Sequence, residues 1–385
     1  MTFNAAIAAS VALVLASSAL AQTNRPNPPP ARAPQTAPQQ QQQPPAPAPQ
    51  QQEAGWTADP GTGCKVWNEK PQPNEQVSWS GACRDGVADG PGTVKWTLNG
   101  EENQTFTGRM RDGRMDGRGT YTWKDGQRYD GDFRDNKFDG RGTMAYANGE
   151  RYDGDFRSDR RDGRGVYTWK DGARYEGDFR DGKRTGRGVY TVASGQRFEG
   201  DFVDGKFNGR GIYIWKDGQR YEGPFKDDNF NGRGVMTWPD GSRYEGDFKE
   251  DKRTGRGSYT LASGQRYEGQ FVDGKYNGRG VYTWPDGQRY EGPFKDDNFN
   301  GRGMMTWPNG SRYEGDFNDD KRTGNGVMTW GSGGRYEGQF TDGRANGQGT
   351  YRNPDGATYS GKWINGCFSE GGRRAWVGAN ENECR

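Results

Sequence analysis

Gly165-Val-Tyr-Thr-Trp169, Lys170-Asp-Gly-Ala173 and Arg174-Tyr-Glu-Gly-Asp-Phe-Arg180 are three consecutive segments whose reading decides the fold. In the last of them Tyr175, Gly177 and Phe179 fall on one side of an extended chain, and Arg174, Glu176, Asp178 and Arg180 on the other. The first alternates too, with Gly165, Tyr167 and Trp169 against Val166 and Thr168. Successive strand side chains point to opposite faces, and aromatic and β-branched residues suit that setting. The Asp-Gly pair between the two runs predicts a hairpin turn with positive φ at both central residues. Asn148-Gly149, Ser194-Gly195, Asp240-Gly241 and Asn309-Gly310 fill the same slot. Residues 181–186 then read as a longer loop to the next strand.

The unit repeats. Aromatic-x-Gly recurs every 23 residues from Phe106 through Tyr129, Tyr152, Tyr175 and onward to Tyr359. A degenerate unit begins at Trp79, 27 residues before Phe106, with its extra residues assigned to a loop over 98–104; that makes 13 candidate units. A 69-residue super-repeat lies on top, since Asp178–Gly246 and Asp247–Gly315 match at most positions. Composition agrees: 64 glycines, 13% aromatics and only 29% hydrophobic residues cannot build a thick aliphatic core or sustained helices. The fold class expected is all-β, a single extended twisted antiparallel sheet of stacked hairpins. Two strands per unit at about 4.8 Å spacing predict a rod of roughly 120 Å.

Tyr175-Glu-Gly177, then Gly182, Gly186 and Gly188, match position by position the 23-residue consensus of the MORN family (membrane occupation and recognition nexus), which the chain resembles over about residues 79–365. The resemblance implies a β-hairpin solenoid and roles in scaffolding, dimerisation or phospholipid association.

Residues 1–21 read as a signal peptide ending in Ala19-Leu20-Ala21, although no Lys or Arg precedes the apolar run. Residues 22–53 are almost entirely Pro, Gln and Ala and read as a disordered spacer. The array is placed at 106–365, after a cap and first degenerate unit at 54–105 and before a second cap at 366–385. Export to a periplasm or cell envelope is the expected localisation. The four cysteines, Cys64, Cys83, Cys367 and Cys384, flank the array, and in an oxidising compartment the local disulfides Cys64–Cys83 and Cys367–Cys384 would staple the caps.

The charges, 54 basic against 52 acidic, argue against a nucleic-acid partner. There is no histidine, so the commonest general base and metal ligand is missing, and neither enzyme activity nor a cofactor or metal is expected. The recurring carboxylates read as a solvated strand face. What remains is a binding surface. The aromatics Tyr167, Trp169, Tyr175, Phe179, Tyr213, Trp215, Tyr221, Phe225, Trp238, Tyr244, Phe248, Tyr282, Trp284, Tyr290, Phe294 and Trp307 are first the core and then, because a lone sheet has one such face, a candidate groove. Lys183-Arg184, Lys252-Arg253 and Lys321-Arg322 are candidate basic loops. A protein partner or second copy (a homodimer) is expected first. Peptidoglycan glycan or an anionic phospholipid surface are the alternatives.

Overall fold

The computed structural model describes residues 55–384; the expected signal peptide and Pro-rich spacer lie outside them. These residues form two compact bodies, 55–217 with 224–228, and 218–223 with 229–384. Each is all-β and its repeats pair antiparallel, as the sequence predicts; the one parallel bridge among the described residues, Lys65 with Val87, lies ahead of the repeats.

In the first body, strand Arg160–Thr168 pairs with Arg174–Arg180, and that strand pairs with Lys183–Thr191. The second body repeats the scheme, with Arg243–Lys249 against Lys252–Thr260 and then Arg266–Val272. Inside and outside alternate as predicted: Tyr175, Gly177 and Phe179 are buried, while Arg174, Glu176 and Arg180 are exposed.

The turn assignment is reversed. Both residues of a two-residue turn with positive φ lie at Asp181 (48°) and Gly182 (81°), directly between Arg180 and its partner Lys183. The Lys170–Ala173 segment instead has only Gly172 in the left-handed region, at 87°. There Gly172 N–H donates to Trp169 O and Trp169 N–H to Ala173 O, which closes a three-residue loop with a glycine bulge. The extra residues of the first unit are not in a loop either. They lengthen its hairpin, Gly90–Leu98 with Glu101–Arg111, around Asn99-Gly100.

Glycines on the inner face make room for rings. Gly177 and Gly188 face each other across the ladder, and Tyr175 lies over both. Its hydroxyl donates to Asp178 O at 3.0 Å. Phe179 and Phe202 meet the Tyr175 ring edge-on at 5.1 and 4.9 Å. Such contacts contribute about 0.5–1.5 kcal/mol each beyond area burial. Burial also pushes the Tyr175 hydroxyl pKa upward. The recurring strand carboxylate is structural as well as solvated: Asp247 Oδ2 accepts the Arg256 backbone N–H at 3.2 Å, across the register shift after Gly246.

Candidate binding surface

The inner face does not lie open. Tyr175, Tyr221, Tyr244, Tyr282 and Tyr290 are fully buried, and Tyr167, Phe179, Tyr213, Trp215, Phe225, Trp238, Phe248 and Phe294 nearly so. Only Trp169, Trp284 and Trp307 of the candidate groove residues are half-buried. The inference that a lone sheet must expose this face or cover it with a partner is therefore corrected. Tyr175, Tyr221, Tyr244 and Tyr290 each cross a glycine pair and are closed at the ring edge by the next unit's phenylalanine, so neighbouring units cover one another.

The basic pairs divide. Arg184, Arg253 and Arg322 are buried and are not basic loops at all. Stepping by 23, residue 184 occupies the slot that holds Phe138, Phe207, Phe230, Tyr276 and Phe299 elsewhere. In those units the ring stacks on the preceding strand's ring, as Phe207 does on Phe198 at 3.8 Å and Phe230 on Tyr221 at 3.9 Å. Arg184 instead sets its guanidinium over Trp169, Tyr175, Tyr190 and Phe202 at 5.2–5.6 Å. Its Nη2 donates to Gly205 O in the following turn at 2.6 Å. Burial lowers the pKa of Arg184 and Arg322 from the ordinary guanidinium value.

The following turn matches whichever residue is present. Arg161, Arg184, Arg253 and Arg322 each face a glycine, at 182, 205, 274 and 343, whose carbonyl accepts the guanidinium. Phe138, Phe207, Phe230, Tyr276 and Phe299 each face an aspartate, whose Oδ1 accepts the backbone N–H at 2.7–2.8 Å. Two exchangeable clasps thus join unit to unit. At Met115 the acceptor is Asn136, so a neutral amide serves equally. Burial raises the carboxyl pKa of Asp320 and Asp251, against the opposing effect of the Phe299 and Phe230 N–H bonds. A raised folded-state pKa gives stability that is complete below the unfolded value near 3.8 and lost as pH rises through the folded value. Asp320→Asn, which keeps an acceptor without the charge, is expected to raise the melting temperature at pH 7 by on the order of 1 °C, with the gain vanishing below pH ~4. A gain that persists at acidic pH would contradict this account.

Outside, charges pair locally. Arg174–Glu176 at 2.6 Å recurs at Arg197–Glu199, Arg243–Glu245 and Arg312–Glu314. Lys183, Lys252 and Lys321, the exposed members of the basic pairs, bridge to Asp204, Asp273 and Asp342 of the next turn at 3.1–3.2 Å. Exposed pairs of this kind contribute about 0–1 kcal/mol each, and they leave little net charge to attract an anionic surface.

The expected cysteine pairs form disulfides at the two ends, Cys64–Cys83 and Cys367–Cys384. At the amino-terminal end Asp59 Oδ2 accepts the Trp79 backbone N–H on the first strand of the sheet, and Trp67 N–H donates to Gly113 O. Backbone N–H bonds from Trp79 and Gly61 hold the Asp59 pKa below its usual value. At the other end Arg373 Nη2 donates to Thr358 O, and Gly366 N–H to Ala345 O. Each of these contacts takes up part of an edge that would otherwise template another strand. Removing the carboxyl-terminal staple as Cys367→Ser/Cys384→Ser is expected to cost about 3 kcal/mol locally, from loop-closure entropy. Hydrogen exchange over residues 344–384 measures it, and unchanged protection would refute the staple's role.

Tyr121 and Tyr146 are not among the candidate groove residues; with Trp123, which fills the slot of Trp169 on the aromatic face, they join Trp169 as half-buried rings in consecutive units of the first body. They sit in two ring clusters, Trp96–Tyr121 (5.8 Å) with Tyr121–Trp123 (4.6 Å), and Tyr146–Tyr167 (6.1 Å) with Tyr167–Trp169 (4.7 Å). The Tyr167 hydroxyl is fixed by Glu150 at 2.6 Å. The 23-residue spacing of these positions carried the signal. Among the described residues no cluster of His, Cys, Asp or Glu is arranged to hold a metal ion, and no helix is long and apolar enough to cross a membrane.

The family profile described as MORN repeat matches eleven consecutive segments from 106–128 to 336–358. No curated protein matches significantly. Among solved structures, the SAS-4 (dCPAP) TCP domain of Drosophila melanogaster, in complex with a proline-rich motif of Ana2 (dSTIL), shares 15% identity over 45% of this chain and 87% of its own, with a TM-score of 0.27. The G-box domain of the microcephaly protein CPAP shares 14% over 49% and 96%, TM-score 0.31. Virginiamycin B lyase from Staphylococcus aureus shares 11% over 76% and 90%, TM-score 0.12. Scores this low establish no common fold.

Proposed function

The chain belongs to the MORN-repeat family, and from that premise we propose that it is a non-catalytic scaffold, exported to the cell envelope, whose array binds another protein. The observation that carries this reading is a surface in which each unit repeats the same ion pairs and clasps, with both ends closed by stapled caps. A reaction centre needs a few groups set apart from their surroundings; a scaffold needs a long, regular, stable surface. The capped ends disfavour end-to-end polymers, so association with a partner or second copy uses the side surfaces. The two disulfides fit an oxidising compartment.

The test is isolation of the secreted chain from its own cells after mild cross-linking, with the purified protein sized by light scattering. A stoichiometric protein partner, or a dimer whose mass is independent of concentration, is the expected result. A monomer that recovers no protein yet sediments with peptidoglycan, or with anionic vesicles in a salt-sensitive manner, would replace this reading with the glycan or lipid one.

A further inference from the structure

We propose that the Pro-rich arm of this same chain, within residues 26–49, docks on the band of half-buried rings formed by Tyr121, Trp123, Tyr146 and Trp169. This goes beyond the scaffold reading and stands or falls separately from it.

Period, chemistry and reach agree. Each unit contributes two strands about 4.8 Å apart, so corresponding rings of adjacent units recur at roughly 9.6 Å before twist. A polyproline II chain has three residues per turn at 3.1 Å each, or about 9.3 Å. One turn of such a chain therefore matches one unit of the array. Pro38, Pro44 and Pro47 are separated by multiples of three and share one face, and Pro44 and Pro38, two turns apart, match the two-unit step from Trp123 to Trp169.

Residues 33–52 carry no charge, which suits a ring-lined surface. The indole N–H groups of Trp123 and Trp169 have no hydrogen-bond acceptor among the described residues. A polyproline II backbone leaves its carbonyls free to accept such donors. Proline rings also lose little entropy on docking, because their φ is already fixed.

The arm enters beside the band's units. It joins strand Gly55–Ala58, and Trp56 packs on Gly113 at the turn that opens strand Arg114–Trp123. That strand runs about 33 Å from the turn to Trp123. Eleven residues at polyproline II rise extend about 34 Å, the length needed for Pro44 to reach the level of Trp123. Tethering gives the arm an effective concentration of about millimolar, which favours it over a free proline-rich segment.

The test uses the full chain with a photoreactive benzoyl-phenylalanine at position 42. Expected are cross-links within a single copy, on peptides containing Trp123, Tyr146 or Trp169. Replacing Pro38, Pro44 and Pro47 together by serine should cut the yield roughly tenfold, since the fixed φ and ring contacts are lost. These changes lie outside the folded array and leave its melting temperature as the control. Cross-links scattered along the array, absent, or only between copies would overturn the proposal. None of those outcomes bears on whether a protein partner co-purifies.

Discussion

Gly188→Ala is expected to destabilise the unit around Tyr175 by about 3 kcal/mol or more, an overpacking loss at the upper end of the usual range. A Cβ at this position would lie 2.7 Å from Tyr175 Cζ and closer still to its Cε2. The ring cannot step aside. Its hydroxyl is bonded to Asp178 O, and Phe179 and Phe202 close two of its edges. Gly195→Ala is the control: φ there is +100° and nothing lies within 4 Å of the added carbon, so only the left-handed backbone penalty of about 1 kcal/mol applies. Because units stabilise their neighbours, hydrogen exchange should accelerate over the hairpins next to residue 188 and remain unchanged in the second body. Equal losses in the two variants would show that ring-over-glycine packing does not hold the array together.

Much of this was written in the alternation. Tyr175, Gly177 and Phe179 on one face, and the need for glycine beneath a ring, follow from period two and from ring size, and the fold agrees. The turns were harder, because Asp171-Gly172 and Asp181-Gly182 are the same dipeptide. What separates them is the variation along the array. The second position of the tight turn is elsewhere Asn136, Asp159, Asp228 or Asp297, residues that tolerate positive φ and cap a neighbour, whereas the other slot keeps glycine. Arg184 was misplaced for a similar reason. Beside Lys183 it reads as half of a basic loop, yet the same alternation that buries Tyr190 puts residue 184 on the inner face. Stepping by 23 shows it taking the place of Phe207 and Phe230. Charge overrode pattern in that reading; in the fold, ring faces and a carbonyl take the place of water around the guanidinium.

Those two clasps should be exchangeable. Arg184→Ala is expected to cost about 3 kcal/mol: it removes a buried side chain lying against four rings and a charge-assisted bond to Gly205 O, partly offset by relief of the buried charge. Arg184→Phe refills the space and restores a ring over Tyr175, as Phe207 covers Phe198, so its loss should be smaller, about 1–2 kcal/mol. Adding Gly205→Asp supplies the carboxylate that the Phe207 clasp obtains from Asp228, and at an equivalent turn position Asp228 already adopts φ of 71°. The pair Arg184→Phe/Gly205→Asp should therefore recover roughly 1 kcal/mol over Arg184→Phe alone, the worth of one backbone hydrogen bond to a charged acceptor. Denaturant melts read through hydrogen exchange of the flanking hairpins give the ordering. If the double variant is no more stable than Arg184→Phe, the aspartate and glycine turns are not matched to the residue they face. The correspondence along the array would then reflect only the duplication of the 69-residue block. If the ordering holds, register between units is set by a two-letter code, Arg with Gly and aromatic with Asp. Deletion of the 69 residues 195–263 would then set Arg184 against Gly274 and preserve the clasp, while deletion of the 23 residues 195–217 would set Arg184 against Asp228 and break it.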